Sequence, residues 1–269
     1  MMAGDAGIAG EELKRCCAAA YQLDIVSALL GESYHPGGLD LTRRLASAVG
    51  LREGMRVAEM ASGPGTTAMA LAEEFGVRVT GLELGAESAT RATETARARG
   101  LSERVGFVVA DAEAVPLADG SVDALFCECA FCTFPDKARG AREMARVLVP
   151  GGRVGMADVV IEAGALPPEL SGAASWIACL GGALPASGYE AILGAAGLRL
   201  VASETHSGAL AAMIDSVEAR LLALILAGLP AVIAIDARQV REVAEMARRA
   251  VAEGAAGYAL FVAEKAALD

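Results

Sequence analysis

Several residue types that would suggest particular functions are scarce in this chain. Its 269 residues include two histidines and one tryptophan, and aromatic residues make up only 4%. Lysine and arginine (23) are outnumbered by aspartate and glutamate (34), and the net charge of −11 argues against broad binding to nucleic acid or to anionic membranes. No apolar run reaches membrane-spanning length; residues 221–235 come nearest and contain Gly228 and Pro230.

The N-terminus lacks the basic-then-apolar pattern of a signal peptide, so we expect a cytoplasmic protein. In that reducing compartment the six cysteines are expected as thiols rather than as structural disulfides. Hydrophobic residues are abundant at 54%, and a chain of this length can bury a large core in one domain.

Apolar runs and helical segments alternate from residue 51 onward, which predicts a parallel sheet with right-handed crossovers. Strands are predicted at Arg56–Met60, Arg78–Glu83, Val105–Ala110, Val122–Glu128, Arg153–Val159, Leu198–Glu204 and Tyr258–Glu264. We expect the last of these to be an antiparallel edge strand. Helices are predicted at Gly10–Ala20, Gln22–Leu30, Leu39–Val49, Thr67–Phe75, Ala86–Arg99, Lys137–Leu148, Gly188–Ala196, Ala209–Leu226 and Asp236–Glu253.

These elements predict one α/β domain in three parts. Residues 1–50 form an N-terminal helical segment, which we expect to act as a lid that includes Tyr34 and His35. Residues 51–160 form the core, and residues 161–269 complete the sheet and carry a helical insertion at Pro167–Leu184. The long C-terminal helices are candidates for covering the acceptor site or for a homodimer face.

The first core strand runs into a glycine turn, Gly63-Pro-Gly-Thr-Thr, and then a helix. Such strand–turn–helix units bind nucleotides in open α/β sheets, because glycine lets a ligand approach the backbone closely. Glu59 at the end of this strand would repel a pyrophosphate, but it suits a ligand with positive charge. S-adenosylmethionine carries a sulfonium and an ammonium, so Glu59 favours this cofactor over a dinucleotide.

Two further acids follow the next two strands. Glu83 ends the second strand, about 20 residues after the glycine turn, where an acid reaches ribose hydroxyls in such folds. Asp111, followed by Ala112, ends the third strand and can accept a hydrogen bond from an exocyclic amine beside an apolar wall. Acids at three successive strand ends predict a nucleoside site.

These motifs, with Leu117–Asp123 and Arg146–Gly152, resemble those of class I S-adenosylmethionine-dependent methyltransferases. The resemblance implies a Rossmann-like seven-stranded sheet with its last strand antiparallel, and a helical insertion over the acceptor site. Ala61 stands where the family usually has its first glycine, and alanine is small enough for donor binding there provided that its φ is negative. The implied cofactor-binding residues are Tyr34, Glu59, Ala61, Gly63, Gly65, Thr66, Glu83, Leu84, Asp111, Ala112 and Glu128.

A cluster of cysteines follows the fourth core strand: Cys127, Cys129 and Cys132. Cys127 and Cys129 share a face if the strand persists. Thiolates prefer soft metals and metalloids, whereas an isolated buried cysteine is usually a small hydrophobe. No structural metal is expected, because no histidine lies nearby and the spacing matches no common zinc site.

The segments Glu128–Lys137 and Gly151–Val160 resemble arsenite methyltransferases, and Cys179–Leu184 matches a second cysteine segment of that family. The resemblance implies trivalent arsenic as the substrate, with Cys129 and Cys179 as the catalytic thiolates. Cys132, which is extra to the family pattern, is a further candidate substrate ligand from the same cluster. Two alternatives stay open: methylation of a small organic molecule such as a quinone or polyketide, and non-catalytic metalloid binding.

Overall fold

The structure, a computed structural model, describes residues 10–165, 179–230, 232 and 236–267. Its strands are β1 (Arg56–Met60), β2 (Arg78–Glu83), β3 (Val105–Val109), β4 (Val122–Glu128), β5 (Leu148–Ile161), β6 (Leu198–Thr205) and β7 (Ala256–Lys265). Its helices are α1 (Gly10–Tyr21), α2 (Asp24–Leu30), α3 (Gly38–Val49), α4 (Thr66–Phe75), α5 (Ala86–Ala98), α6 (Lys137–Val147), α7 (Ala186–Ala195), α8 (Ser207–Leu226) and α9 (Ala237–Ala252). None of these helices is long and apolar enough to cross a membrane.

The seven strands form one sheet in the order β3-β2-β1-β4-β5-β7-β6, in which β7 runs antiparallel to both of its neighbours. The predicted Rossmann-like seven-stranded sheet with an antiparallel last strand is therefore confirmed. The prediction that β7 lies at an edge is wrong, because it is inserted between β5 and β6. Residues 257–263 are all buried, as expected for a strand covered on both faces.

Helices cover both faces of the sheet, and alternate strand residues feed the two resulting core layers. One layer contains Val57 and Phe126 with Leu45 of α3 and Leu71 of α4. The other contains Ala58 and Leu125 with Met144 of α6 and Leu193 of α7. This alternation follows from the two-residue period of a strand and leaves the carboxyl ends of the central strands free for a site.

The predicted helical insertion at Pro167–Leu184 lies largely outside the described residues. The part that the structure describes, residues 179–184, is a turn rather than a helix. Cys179 has a φ of +62°, which a right-handed helix does not accommodate. The segment then joins the sheet, because the Ile161 amide donates to the Leu184 carbonyl at 3.1 Å.

The strand order reverses at β1, which has β2 on one side and β4 on the other. Ligands of open α/β sheets bind beyond the carboxyl ends of the strands at such a point. The turn after β1 is packed closely there: Gly65 has a φ of +77°, and a Cβ on it would lie 2.3 Å from the Phe107 ring. Glycine at this position therefore lets the β1–α4 turn pack against β3.

Candidate active site

A cavity of about 380 Å³ lies beyond the carboxyl ends of β1, β2 and β4, with α1 and the 33–35 loop along its walls. This volume is within the range of small-molecule sites. Of the predicted cofactor-binding residues, the cavity is lined by Tyr34, Glu59, Ala61, Gly63, Thr66, Glu83, Leu84, Asp111, Ala112 and Glu128. Gly65 lies behind the lining, where its role is the close packing against Phe107.

The glycine turn is fixed by Glu83. The Glu83 carboxylate accepts the Gly63 amide through Oε2 and the Gly85 amide through Oε1, each at 2.8 Å. Burial raises the pKa of Glu83, and these amide bonds act in the opposite direction. The Leu84 amide also contributes to this lowering. The two oxygens offer about four acceptor positions in all, so the carboxylate can still accept from a ribose hydroxyl.

The condition of a negative φ at Ala61 is not met, because the residue has a φ of +53°. The turn after β1 needs a left-handed residue at the position where the resembling family has glycine, and alanine adopts that conformation here at a cost of about 1–2 kcal/mol. Ala61 is exposed and lines the cavity, so its methyl group meets no packed neighbour from the core.

Two buried carboxylates lie side by side at one end of the cavity. Glu59 on β1 is 5% exposed, and its Oε2 has no hydrogen-bond partner among the described residues. Glu128 at the end of β4 accepts from Thr67 Oγ1 at 2.7 Å and from Thr42 Oγ1 at 3.1 Å. His35 Nε2 lies 3.6 Å from Glu128 Oε2. This end of the cavity is therefore suited to a cationic ligand.

At the other end of the cavity, ion pairs hold α1 against the loop after β3. Lys14 Nζ lies 2.7 Å from Asp111 Oδ2 and 2.6 Å from Glu113 Oε2. Burial lowers the pKa of Lys14, but the hydrogen bonds with Asp111 and Glu113 outweigh this effect and raise it. Asp111, the predicted partner of an exocyclic amine, is thus already bound to a cation from the N-terminal segment.

Replacement of Lys14 by glutamine is expected to loosen α1, because it leaves Asp111 and Glu113 without their cation. Glu113 is 4% exposed, so the free energy of unfolding should fall by roughly 3 kcal/mol. Hydrogen exchange of the α1 amides measures the local effect. The matched change Arg15→Gln, on the exposed face of the same helix, should leave exchange unaltered. Unchanged exchange in Lys14→Gln would show that the ion pairs of Lys14 do not hold α1 in place.

The predicted thiols come together next to the cavity. Cys179 Sγ lies 3.5 Å from Tyr21 Oη, and as a thiol it donates to the Cys129 carbonyl at 3.3 Å. As a thiolate it accepts from the Cys129 and Cys132 thiols, which hold the pKa of Cys179 well below its usual range. Cys129 has a φ of +52°, so both Cys129 and Cys179 hold backbone conformations that are rare for non-glycine residues. Such strain is concentrated at functional sites.

The thiols differ in their access to the cavity. Cys129 and Cys17 of α1 line it, whereas Cys132 and Cys179 lie behind them. The expectation that Cys127 and Cys129 share a face fails, because β4 ends at Glu128 and Cys129 turns into the left-handed region. Among the residues that the structure describes, no group of three or more histidine, cysteine or acidic side chains could hold a metal ion.

A buried carboxylate supports the thiols from behind. Asp158 on β5 is 0% exposed and accepts the Cys132 amide at 2.7 Å and the Val159 amide at 2.9 Å. Burial, followed by the charge of Cys179, raises the pKa of Asp158 to about 7. Asp158 thereby fixes the turn that carries Cys132.

Part of the chain that forms this site is similar to a known family of proteins. Residues 58–156, which include most of β1, the glycine turn, β4 and most of β5, match the family model described as a methyltransferase domain. Residues 58–156 therefore form a methyltransferase domain. The predicted enzyme class and the predicted cofactor, S-adenosylmethionine, are thereby confirmed at the level of this domain.

Three relatives share this methyltransferase domain. Methyltransferase GfsG of Streptomyces halstedii is 36% identical over 46% of this chain and 45% of its own length. The 27-O-demethylrifamycin SV methyltransferase of Amycolatopsis mediterranei is 33% identical over 51% of this chain and 55% of its own. Demethylmenaquinone methyltransferase of Thermus thermophilus is 38% identical over 44% and 50%. The matches thus span about half of each relative, and they do not support the narrower resemblance to arsenite methyltransferases.

Solved structures extend the likeness in fold beyond the methyltransferase domain. The [4+2]-cyclase SpnF has a TM-score of 0.76 at 22% identity, with 99% of this chain and 100% of that chain covered. Phosphoethanolamine N-methyltransferase 2 of Haemonchus contortus, solved with S-adenosyl-L-methionine, has a TM-score of 0.77 at 18% identity, with 97% and 61% covered.

Sequence reasoning missed several residues around the methyltransferase domain. Lys14, Cys17 and Tyr21 line the cavity from one face of α1, and their spacing of three and four residues is the signal that could have grouped them. Thr42, Thr67 and Glu113 carry no comparable signal, because each reaches the site through a tertiary contact.

Proposed function

We propose that this protein transfers the methyl group of S-adenosylmethionine to a small organic acceptor, such as a quinol-like or polyketide-like molecule. The observation that carries the proposal is the difference in polarity between the two sides of one cavity. Its strand-end side is acidic, with Glu59, Glu83 and Asp111, whereas residues such as Ala18, Ala130 and Phe134 give it an apolar side. The names of two relatives, a rifamycin methyltransferase and a demethylmenaquinone methyltransferase, support an organic acceptor.

The chain's own residues fit the donor. A buried carboxylate oxygen without a partner, Glu59 Oε2, suits a cationic ligand, and a Cβ on Gly63 would have only the Tyr34 ring within 4 Å, at 3.9 Å. When bound, S-adenosylmethionine supplies an electrophilic methyl group on a sulfonium. The role left to the protein is alignment and exclusion of water, since methyl transfer is a direct displacement. Glu83 binds the ribose in this proposal, and α1 with the 33–35 loop encloses the site.

A second candidate is transfer to trivalent arsenic, for which Cys129 and Cys179 serve as catalytic thiolates and Cys132 as a further ligand. It is favoured by one observation, the contact of these thiols at two left-handed backbone positions. The cavity lining favours the organic acceptor instead, because Cys132 and Cys179 lie behind it and their sulfurs bond within the cluster.

The test is product identification with methyl-labelled donor and the purified full chain. The acceptor panel contains a reduced quinone, a phenolic polyketide, a macrolide and arsenite. We expect label in one of the organic molecules. The Cys129→Ser and Cys179→Ser variants should retain kcat/KM within about tenfold, since a thiol that only lines or supports an apolar pocket contributes about 1 kcal/mol.

Each other outcome changes the assignment. Label in arsenite alone, lost in both serine variants, would replace the organic acceptor by the thiophilic one. Donor binding without any labelled product, accompanied by metalloid binding or by cyclisation of a polyene substrate, would contradict methyl transfer altogether. Failure to bind the donor would contradict the proposal at its first step.

A further inference from the structure

The carboxylates of Glu59 and Glu128 are brought together by strand pairing. β1 and β4 are parallel neighbours, and Glu59 lies opposite Phe126, two residues before Glu128. Both carboxylates line the cavity, while their side chains are almost completely shielded from bulk water. Two acids so placed repel each other strongly when both are ionised.

Little permanent positive charge offsets this pair. Among the described residues, the basic side chain that contacts one of these carboxylates is His35, whose Nε2 lies 3.6 Å from Glu128. Thr42 and Thr67 also donate to Glu128, whereas Glu59 Oε2 faces no donor. A proton on Glu59 relieves the repulsion, and so does a bound cation. Either change is sufficient, so a bound cation removes the need for the proton on Glu59.

We propose that Glu59 holds a proton in the free protein and releases it when the cationic donor binds beside Glu128. The inference rests on the proposed function, because it requires S-adenosylmethionine as the ligand. Its consequence is that donor binding is linked to pH through a buried group that is also a binding residue.

The direction of the linkage follows from the surroundings of Glu59. Burial, followed by the charge of Glu128, raises the pKa of Glu59 well above 4.5 in the free protein. Glu83 on β2 adds to this effect, and a cation in the cavity opposes it. The complex therefore carries fewer protons than the free protein, so donor affinity rises with pH until Glu59 is ionised in both states.

Other titratable groups face the same cluster. Cys127 of β4 lies behind Glu59, and Tyr258 of β7 faces Glu128. Burial raises the pKa of both groups well above their usual values, so they stay neutral through the range in which Glu59 titrates. Glu83 of β2 and Asp158 of β5 also have pKa values raised by burial, so any proton that they exchange is counted in the same measurement.

Calorimetric titration of the full chain with S-adenosylmethionine tests the inference without any methyl acceptor. Titrations in two buffers with different ionisation enthalpies, from about pH 6 to about pH 8, give the number of protons exchanged. We expect a release approaching one proton per donor, with affinity rising by up to about tenfold per pH unit where release is complete.

Isosteric variants assign the proton. Glu59→Gln should abolish the release, and Glu128→Gln should reduce it because the repelling charge is removed. Asp158→Asn is the matched control: Asp158 is also buried with a raised pKa, but it lies outside the cavity lining, so the release should persist. Release that persists in Glu59→Gln would overturn the assignment to Glu59.

The wild-type measurement is decisive even if a variant fails to fold. Donor binding with the same enthalpy in both buffers and a flat pH dependence would overturn the inference and leave the proposed function standing. Absence of donor binding at every pH would instead contradict the proposed function.

Discussion

Replacement of Glu83 by alanine is expected to weaken S-adenosylmethionine binding by about a hundredfold or more. The carboxylate binds the glycine turn through the Gly63 amide and the loop after β2 through the Gly85 amide, and it is the proposed acceptor for the ribose hydroxyls. Hydrogen bonds to a charged group contribute about 1.5–3 kcal/mol each, and about 1.4 kcal/mol corresponds to a tenfold change in affinity. The dissociation constant of the donor, measured by calorimetry, gives the effect directly.

Two further variants separate binding from general damage. Glu83→Gln keeps the shape and one acceptor oxygen, so its loss should be smaller, about tenfold. Glu87→Ala removes an exposed carboxylate four residues away that forms an ion pair with Arg91, and it should leave the affinity unchanged. Wild-type affinity in Glu83→Ala would remove Glu83 from the ribose site.

The donor side of the cavity was predictable because parallel strands bring their carboxyl ends to one edge. Glu59, Glu83 and Asp111 are far apart in sequence, yet each lies within two residues of the carboxyl end of its strand. Once the strand alternation is recognised, their proximity follows from topology alone. The direction of each side chain does not follow, and Lys14 binding to Asp111 shows how much a distant helix changes.

The C-terminal part was less predictable for physical reasons. The sequence of β7 is a continuous apolar run, and such a run is compatible with an edge strand as well as with an internal strand. Its insertion between β5 and β6 depends on long-range pairing that no local pattern encodes. Cys179 likewise stands in a sequence of small residues with helical propensity, whereas in the structure it has a positive φ and contacts Tyr21 and Cys129, which are distant in sequence.

The stability of the fold is expected to depend on pH through Asp158. Its pKa rises from 3.8 to about 7 on folding, chiefly because of burial, and this corresponds to about 4 kcal/mol at ~1.4 kcal/mol per pH unit. A raised carboxyl pKa favours the folded state when the group is protonated. The contribution is therefore fully present below about pH 4 and declines until the pH passes the folded-state value.

Comparison with Asp158→Asn isolates the pH-dependent contribution of Asp158 to stability, because asparagine cannot ionise and retains an acceptor oxygen for the Cys132 amide. The free energy of unfolding of the wild type minus that of the variant should fall by about 4 kcal/mol between about pH 4 and about pH 8. Asp123→Asn supplies the opposite case, since Arg56 lowers the pKa of Asp123 and its contribution is lost only as the pH falls. Parallel pH profiles for the wild type and Asp158→Asn, in chemical denaturation, would show that Asp158 stays ionised in the folded protein. The thiols above it would then face a fixed negative charge rather than a neutral carboxyl group, which disfavours a thiolate at Cys179.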